Sequence, residues 1–338
     1  MEKKKIAIFG ATGLIGTYTA VHLKALGYDV IAIGKRKGDN GFFNDHGMQY
    51  HSVDIANSSD FSKLPANVWS VINFAGMMPA SMKGYTPQLY IDSVLSGTLN
   101  VLNYCVYAKA EKIIFSHSTA DSKYLYGKTP IPSDIVKKFP LADDHSVYAI
   151  CKNAAVDLIE HFYYRNGLKR FILRLPTIYA YHPNPYFYVD GERKMQAWRF
   201  IIKQAQIGET IEIWGDPARA KEIVYVKDFT QIIQKCIESH SDGGVYNVGR
   251  GVGVTLEEQV RGIIDVFSKP GNMSKITYRP DRPNTNEFIK DISKTKAELG
   301  YQPMYNYHDL LVDIKKHMEE EPFKLLWGGE DEYEKAIN

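Results

Sequence analysis

Hydrophobic and polar positions alternate along the first half of the chain in two repeating patterns. Short apolar runs are separated by longer segments in which apolar residues recur every three or four positions. The short runs are typical of strands buried on both faces, and the longer segments are typical of amphipathic helices. Strands are predicted at 6–9, 28–33, 48–53, 68–74, 112–116 and 170–175, and long helices at 88–110 and 145–166. Because such alternation gives right-handed crossovers, we expect an α/β fold with a Rossmann-type, doubly wound parallel sheet.

The pattern changes after Pro176. Residues 181–190 have a loop-like composition, and the segment from Trp327 onward is acidic and is expected to be solvated. Further elements are predicted as a helix at 196–206, a strand at 210–214, strands at 224–226 and 245–248 that return to the main sheet, a capping box at 255–258, and a helix at 291–299 ended by Gly300. We expect a first domain of residues 1–180 plus 223–250, and a smaller, mostly C-terminal α/β substrate domain of residues 181–222 plus 251–338.

Composition and charge exclude several classes of partner. The net charge is only +2, and no apolar stretch reaches membrane-spanning length, so neither nucleic acid nor a membrane is expected as a partner. The three cysteines, Cys105, Cys151 and Cys236, are odd in number and widely spaced. That spacing argues against a disulfide framework and against a metal site, and it suits a cytoplasmic protein.

A glycine-rich turn follows the first predicted strand. Gly10, Gly13 and Gly16 lie between that strand and the first helix. Gly10 permits a tight turn, Gly13 lets the backbone approach a pyrophosphate, and Gly16 lets the helix pack closely on the strand. The free N–H groups and the positive dipole of the helix N-terminus favour phosphate. The turn predicts dinucleotide binding, although such a pattern also occurs in other α/β proteins.

The ends of the next strands bear on which dinucleotide is bound. In NAD-binding versions of this unit, an acidic residue directly after the second strand binds the adenosine ribose, and none is present here. Lys35 and Arg36 occupy that position, and their positive charges suit the 2′-phosphate of NADP. We therefore expect NADP slightly ahead of NAD, with an ordinary basic loop as the alternative. Asp54 ends the third strand and could accept a hydrogen bond from the adenine amine. The small residues at 75–76, after the fourth strand, leave room for a dinucleotide.

Tyr148 and Lys152 begin the second long helix, four residues apart and therefore on one helical face. An ammonium beside a phenol lowers the tyrosine pKa, and such a tyrosine can exchange a proton with an alcohol. A pair of this kind also occurs on ordinary helix surfaces. The spacing alone therefore leaves both interpretations open.

Taken together, the motifs resemble the extended short-chain dehydrogenase/reductase family, and more narrowly its NAD(P)-dependent nucleotide-sugar epimerase/dehydratase branch. The resemblance runs through most of the chain. The motifs that carry it are the glycine turn, residues 115–119, Tyr148 with Lys152, residues 173–179, residues 214–216 with 221–228, and residues 279–283 with 291–294.

The resemblance implies roles for individual residues. Tyr148 would be the general acid/base, Lys152 would lower its pKa and bind the nicotinamide ribose, and Ser118 would orient the substrate oxygen, with Thr119 as the substitute. His117 would be a packed strand-end residue. The implied cofactor contacts are Gly10, Thr12, Gly13, Leu14, Ile15, Gly16, Lys35, Arg36, Asp54, Ile55, Phe74, Ala75, Gly76, Ser116, Tyr148, Lys152, Pro176 and Ile178. The implied substrate contacts are Met78, Ser118, Thr119, Thr177, Lys221 and Arg282, the last two as diphosphate ligands or as ordinary surface charges.

The same resemblance implies an NAD(P)-dependent enzyme that oxidises a sugar carbinol of a nucleotide-sugar substrate. The family's 4,6-dehydratases carry an Asp-Glu pair directly after the catalytic Ser or Thr, and Thr119 is followed here by Ala120 and Asp121. We therefore rank an epimerase first, an NADPH-dependent ketoreductase second and a dehydratase third. A non-enzymatic dinucleotide-binding protein is the remaining alternative. The helices at 88–110 and 145–166 would form a four-helix bundle in a homodimer, and the enlarged loop at 121–144 would shape the mouth of the substrate site.

Overall fold

The computed structural model describes residues 4–128, 130–143, 145–189 and 191–335. The predicted domains and loops also include residues 1–3, 129, 144, 190 and 336–338, which lie outside the described ranges. A seven-stranded sheet forms the centre, in the order β13-β6-β5-β4-β1-β2-β3, and each neighbouring pair is parallel. Its strands are β1 (Lys5–Phe9), β2 (Asp29–Gly34), β3 (Gln49–Ser52), β4 (Ser70–Asn73), β5 (Lys112–Ser118), β6 (Lys169–Leu175) and β13 (Gly243–Asn247). The expected doubly wound α/β sheet is confirmed.

Helices cover both faces of this sheet because its strands are apolar on both sides. In β1, Ile6 and Ile8 point into the core beneath α1 (Leu14–Ala25) and α7 (Val226–Glu238), while Ala7 and Phe9 point into the opposite core. That second core is closed by α4 (Gly97–Tyr107) and α5 (Ser146–Asn166). Side chains alternate along a strand, so a fully apolar run supplies both cores at once.

The predicted helix at 145–166 forms as α5 and ends at Gly167 in the left-handed conformation. The predicted helix at 88–110 is instead divided into α3 (Pro87–Tyr90), a π-helical segment (Ile91–Ser96) and α4. Where α4 begins, a Cβ on Gly97 would lie 2.7 Å from Ile55 Cδ1, so this glycine lets the helix approach the end of β3. Two short helices, α2 (Phe42–Asp45) and a 3₁₀ turn (Ser58–Lys63), flank β3.

The remaining strands form small ladders beside the main sheet. These pair β7 (Ile178–Tyr179) with β12 (Val224–Tyr225), β8 (Tyr186–Val189) with β9 (Glu192–Met195), β10 (Ile211–Trp214) with β15 (Ile276–Arg279), and β11 (Ala220–Lys221) with β14 (Val254–Thr255). The helices among them are α6 (Ala197–Ile207), α8 (Leu256–Phe267), α9 (Ser293–Leu299) and α10 (Tyr307–Glu320).

In this region two local predictions are confirmed and two are wrong. The strand at 245–248 joins the main sheet as expected, and the capping box forms between Thr255 and Glu258. The strand at 224–226 was expected in the main sheet but pairs with β7 in a separate two-stranded sheet, so that prediction is wrong. The prediction of a loop throughout 181–190 is also wrong, since β8 begins a hairpin there. Apolar alternation alone does not reveal which partner a two-residue strand will find.

The expected solvation of the segment from Trp327 onward is wrong for Trp327, which is packed, and is confirmed for Asp331, Glu332, Glu334 and Lys335, which are exposed. The segment after α10 holds two short helices, α11 (Lys324–Trp327) and α12 (Glu330–Lys335). Trp327 is only 4% exposed, because its indole ring packs against Phe323 and His182. A large aromatic ring can be buried here because the neighbouring carboxylates of Asp331, Glu332 and Glu334 remain at the surface.

None of the helices in the described ranges combines the length and apolar composition that crossing a lipid bilayer requires.

Candidate active site

The glycine turn connects β1 to α1 and is tightly constrained by its neighbours. Gly10 has a φ of +81°, and a Cβ there would lie 2.9 Å from the Ala75 backbone nitrogen at the end of β4. A Cβ on Gly16 would lie 2.1 Å from the Gly10 carbonyl oxygen. Both positions therefore require glycine for the packing of the turn against β4 and α1.

Gly13 differs from these two glycines because protein atoms do not crowd it. A Cβ there would meet only the Gly10 carbonyl oxygen, at 3.4 Å. No side chain caps the N-terminus of α1, and its first turn holds no acidic residue. Leu14 and Ile15 follow, and both are partly exposed. Free N–H groups, a positive helix end and room beside Gly13 fit the pyrophosphate of a dinucleotide.

The two cations predicted to favour NADP both have partners. Lys35 Nζ lies 2.7 Å from Asp54 Oδ2, and Arg36 Nη1 donates to the Leu326 carbonyl at 2.6 Å. Asp54 Oδ1 also accepts from the Ala56 backbone N–H at 3.1 Å. The predicted adenine and ribose contacts therefore lie together at the ends of β2 and β3, and one of them is held by the segment after α10.

The residues after β4 form the next part of the crevice. Asn73 Oδ1 accepts from the Ala75 backbone N–H at 3.1 Å, and Gly76 has a φ of +136° that favours glycine. The Phe74 ring packs on Phe229 of α7. Of the other predicted residues here, Ile55 is buried, whereas Met78 is 54% exposed.

Tyr148, Ser118 and Lys152 lie together where β5 ends and α5 begins. The Ser118 hydroxyl lies close enough to the Tyr148 phenol to lower its pKa. Lys152 Nζ donates to the Ser116 carbonyl at 2.7 Å and lies 5.9 Å from the centre of the Tyr148 ring. Ser118 Oγ also accepts from the Ala120 backbone N–H at 3.0 Å. A phenol, a hydroxyl and an ammonium thus meet at the carboxyl edge of the sheet.

Burial controls the protonation of this group. Complete burial lowers the pKa of Lys152 to about 7. Burial also raises the pKa of Tyr148 to about 12, although the neighbouring Ser118 hydroxyl acts in the opposite direction. The expectation of a lowered tyrosine pKa is therefore wrong for the isolated chain. The ammonium binds the Ser116 carbonyl, and Tyr148 is enclosed by Tyr90 and Cys151.

The other predicted substrate residues are spread over separate segments. Pro176 is buried, Thr177 is exposed, and Ile178 begins β7. Thr119 lies beside Tyr126 of the loop at 121–144 and acts to lower the pKa of that phenol, although burial raises it. Lys221 lies in β11, beside Phe288. Arg282 is exposed and lies 5.0 Å from the Trp214 ring, beyond the end of β15.

A buried charged cluster behind Ser118 was not predicted. His117 and Arg174 are register partners on β5 and β6, and both approach the carboxylate of Asp121. Arg174 Nη1 donates to Asp121 Oδ1 at 2.7 Å, and His117 Nε2 lies 3.4 Å from Asp121 Oδ2. Burial by itself raises the pKa of Asp121, but His117 and Arg174 outweigh it and hold the pKa at about 2. Burial lowers the pKa of His117, which is a packed strand-end residue as expected.

Hydrogen bonds from Arg174 of the cluster, and from Asn247 and Lys290 beside it, connect the loop at 121–144 to the rest of the fold. Arg174 Nε donates to the Ser133 carbonyl at 3.0 Å, and Asn247 Nδ2 donates to the Ile131 carbonyl at 2.9 Å. Lys290 Nζ reaches Ser122 Oγ at 3.3 Å. The signal available in the sequence was Arg174 itself, an arginine within an otherwise apolar strand.

The fold and this geometry define a dinucleotide-binding protein of the Rossmann class with a tyrosine–lysine pair at its crevice. A sequence model of the NAD dependent epimerase/dehydratase family matches residues 6–249. The chain belongs to that family. The expectation of an enzyme of the extended short-chain dehydrogenase/reductase type is thereby confirmed.

Individual relatives are similar along nearly their whole length. UDP-glucose 4-epimerase 4 of Oryza sativa subsp. japonica is 23% identical, and the match covers 95% of this chain and 91% of that protein. The structure of UDP-glucose 4-epimerase from Thermotoga maritima with UDP-glucose superposes with a TM-score of 0.75 at 21% identity, covering 94% and 99% of the two chains. UDP-glucuronic acid 4-epimerase from Bacillus cereus in complex with NAD gives 0.70 at 20% identity, covering 94% and 99%. At these identities the structures establish a common fold.

Proposed function

We propose that this protein is a nucleotide-sugar epimerase that works by transient oxidation of a sugar carbinol. The observation that carries the proposal is the grouping of Tyr148, Ser118 and Lys152 at the carboxyl end of β5. The glycine turn follows the carboxyl end of β1, on the same side of the parallel sheet. Membership of the epimerase/dehydratase family and the resemblance to several 4-epimerases support it. The names of these relatives make UDP-glucose, with its C4 epimer UDP-galactose as the product, the first substrate to test.

Each residue of the group has a distinct part in the proposed reaction. Ser118 orients the sugar hydroxyl, and Tyr148 receives its proton. A bound nicotinamide supplies the hydride acceptor and, when oxidised, a positive charge that favours the phenolate. Lys152 holds the end of β5 through Ser116, and in this proposal it also binds the nicotinamide ribose. Tyr148 returns the proton after the keto sugar has rotated and the hydride has been delivered to its other face, so no net redox change occurs.

The remaining contacts complete the proposal. The glycine turn and the ends of β2, β3, β4 and β6 hold the dinucleotide, and Met78, Thr119, Thr177, Lys221 and Arg282 contact the nucleotide sugar. The dinucleotide domain comprises 1–180 plus 223–250, and the substrate domain comprises 181–222 plus 251–338. NADP is slightly favoured by Lys35 and Arg36, whereas several structural relatives contain NAD. We place the protein in the cytoplasm, in keeping with its three free, buried cysteines. We also propose that it is a homodimer.

A Tyr148→Phe variant tests the proposal directly. We expect interconversion of UDP-glucose and UDP-galactose by the wild-type protein, and a loss of at least about 10²-fold in kcat for the variant. Dinucleotide affinity should change little, which a parallel binding titration would check. Unchanged turnover in the variant would favour a site elsewhere, and unchanged cellular function would favour a non-enzymatic binding protein.

The ketoreductase alternative is separated by the fate of the cofactor. An epimerase oxidises and reduces the same sugar, so NADPH added with a sugar nucleotide is not consumed. Stoichiometric consumption of NADPH, followed at 340 nm, would favour the reductase. Release of water with formation of a 4-keto-6-deoxy sugar would favour the dehydratase.

A further inference from the structure

The segment 321–335 crosses the carboxyl edge of the sheet beside the predicted cofactor contacts. Trp327 Nε1 donates to the Thr12 carbonyl within the glycine turn at 2.9 Å. The carbonyl of Leu326 accepts from Arg36 at 2.6 Å, and that of Leu325 accepts from Asn40 at 3.0 Å. Three successive residues of one segment therefore bind the turn after β1 and the loop after β2.

Aromatic packing holds this segment on the Rossmann side. Phe323 packs against Tyr18 of α1 with ring centres 4.7 Å apart, and it also contacts Phe42 of α2. Trp327 itself is buried between Phe323 and His182. The indole N–H has little freedom to find another acceptor, because the ring is almost fully buried.

The same segment is anchored at its other end to the residues after β7. Arg199, which is 1% exposed, donates to Glu330 at 2.7 Å. Arg193 donates to the Tyr333 carbonyl at 2.6 Å, and the Tyr333 hydroxyl donates to the Trp327 carbonyl at 2.7 Å. Displacing the whole segment would therefore leave the buried Arg199 without its carboxylate partner and would also break the aromatic packing.

An open pocket of about 590 Å³ lies between the segment and the end of β2. Arg36 and Asn40 line one side, and residues 324–328 with Glu332 line the other. The carboxyl end of β2 is where a Rossmann sheet receives the adenosine ribose. The segment thus forms an outer wall at the adenosine end of the crevice.

We propose that the segment 321–335 is a working part of the dinucleotide site, with Trp327 and Leu326 as positioning residues. Trp327 fixes the Thr12 peptide so that the N–H groups of the glycine turn face the pyrophosphate. Leu326 holds the guanidinium of Arg36 at the adenosine pocket. The segment slows cofactor release, which a reaction that reuses one cofactor molecule needs. This inference rests on the proposed function only in that the site takes a nicotinamide dinucleotide.

Replacing the indole donor without removing the aromatic ring tests the proposal. Trp327→Phe keeps an aromatic side chain and loses the hydrogen bond to Thr12. We expect the Kd for NADH and NADPH, measured by calorimetry on dinucleotide-stripped protein, to rise about 3- to 10-fold, as the loss of one hydrogen bond predicts. Dissociation of NADH, followed by its fluorescence, should accelerate by a similar factor.

Trp69→Phe is the matched control. Trp69 also donates its indole N–H, to Glu111 at 2.9 Å, but it precedes β4 at the opposite edge of the sheet. This variant should leave both Kd values unchanged. A lower melting temperature for Trp327→Phe with the wild-type Kd and dissociation rate would mean that the segment is only structural, and would overturn the proposal.

A second variant loosens the segment at its far anchor, without touching the glycine turn. Glu330→Gln weakens the pair with Arg199 and should accelerate NADH release, whereas Glu319→Gln, at an exposed position of α10, should not. Equal release rates for these two variants would also contradict the proposal. Failure of the wild-type protein to bind any nicotinamide dinucleotide would instead contradict the proposed function.

Discussion

The ammonium of Lys152 donates a hydrogen bond to the Ser116 carbonyl, and it stays 5.9 Å from the centre of the Tyr148 ring. The lysine therefore connects α5 to the end of β5, the strand that also carries Ser118. The arrangement positions the serine hydroxyl against the phenol. It does not by itself generate a phenolate, since burial dominates the pKa of Tyr148.

Burial of Lys152 should make the stability of the protein depend on pH. Its pKa is about 7 in the folded protein and about 10.4 in the unfolded chain, so between these values the unfolded state binds more protons. The cost of burying the ammonium is thus present below pH 7 and disappears as the pH rises toward 10. Relative to Lys152→Met, the wild type should gain stability across this window, by roughly 4–5 kcal/mol in total.

Urea denaturation of both proteins at several pH values between 6 and 10 measures this difference. Lys296→Met, at an exposed position of α9, is the control and should show no such trend. A stability difference between wild type and Lys152→Met that does not vary with pH would contradict the prediction.

Asp121 should be more important for stability than its place in an enlarged loop suggests. Its carboxylate and the Arg174 guanidinium are both almost fully buried. Asp121→Ala leaves that guanidinium without its charged partner, and we expect a loss of about 3–5 kcal/mol in the free energy of unfolding. Asp134→Ala, at an exposed position of the same loop, should change it by less than about 0.5 kcal/mol. Similar losses for the two variants would indicate that the cluster contributes little.

Lys35 and Arg36 should determine any preference for NADP. We expect the wild-type protein to bind NADPH slightly more tightly than NADH, since a 2′-phosphate gains from two nearby cations. The double variant Lys35→Ala/Arg36→Ala should lose NADPH affinity about 10-fold or more and NADH affinity much less. Parallel calorimetric titrations measure both values. Tighter binding of NADH by the wild type would refute the preference, and the pairing of Lys35 with Asp54 would then be its physical reason.

The homodimer should form through the outer surfaces of α4 and α5. Leu99 and Val106 on α4 and Ile150 on α5 are large apolar residues at 39%, 45% and 44% exposure. Leu99→Asp places a charge on this surface and should convert a dimer into a monomer in light scattering at micromolar concentration. Val136→Asp, on the exposed loop at 121–144, should leave the dimer intact. A monomeric wild-type protein at that concentration would rule out the homodimer.

The sequence by itself determined the parts of the protein whose causes are local. Apolar runs with helical segments between them required a parallel sheet with two cores, and Gly10 and Gly16 sit where any Cβ would collide with backbone. The Tyr148–Lys152 spacing required both side chains on one face of α5. Periodicity and backbone sterics act over a few residues, and they are therefore visible in a linear pattern.

Only the tertiary structure decided which distant groups share a buried environment. Asp121 meets Arg174 across 53 positions of sequence, and Trp327 reaches Thr12 across 315. The raised pKa of Tyr148 and the lowered pKa of Lys152 have the same origin, since both come from packing around the helix rather than from their spacing along it. Burial and long-range pairing depend on the tertiary fold of the whole chain, and no single segment of the sequence specifies them.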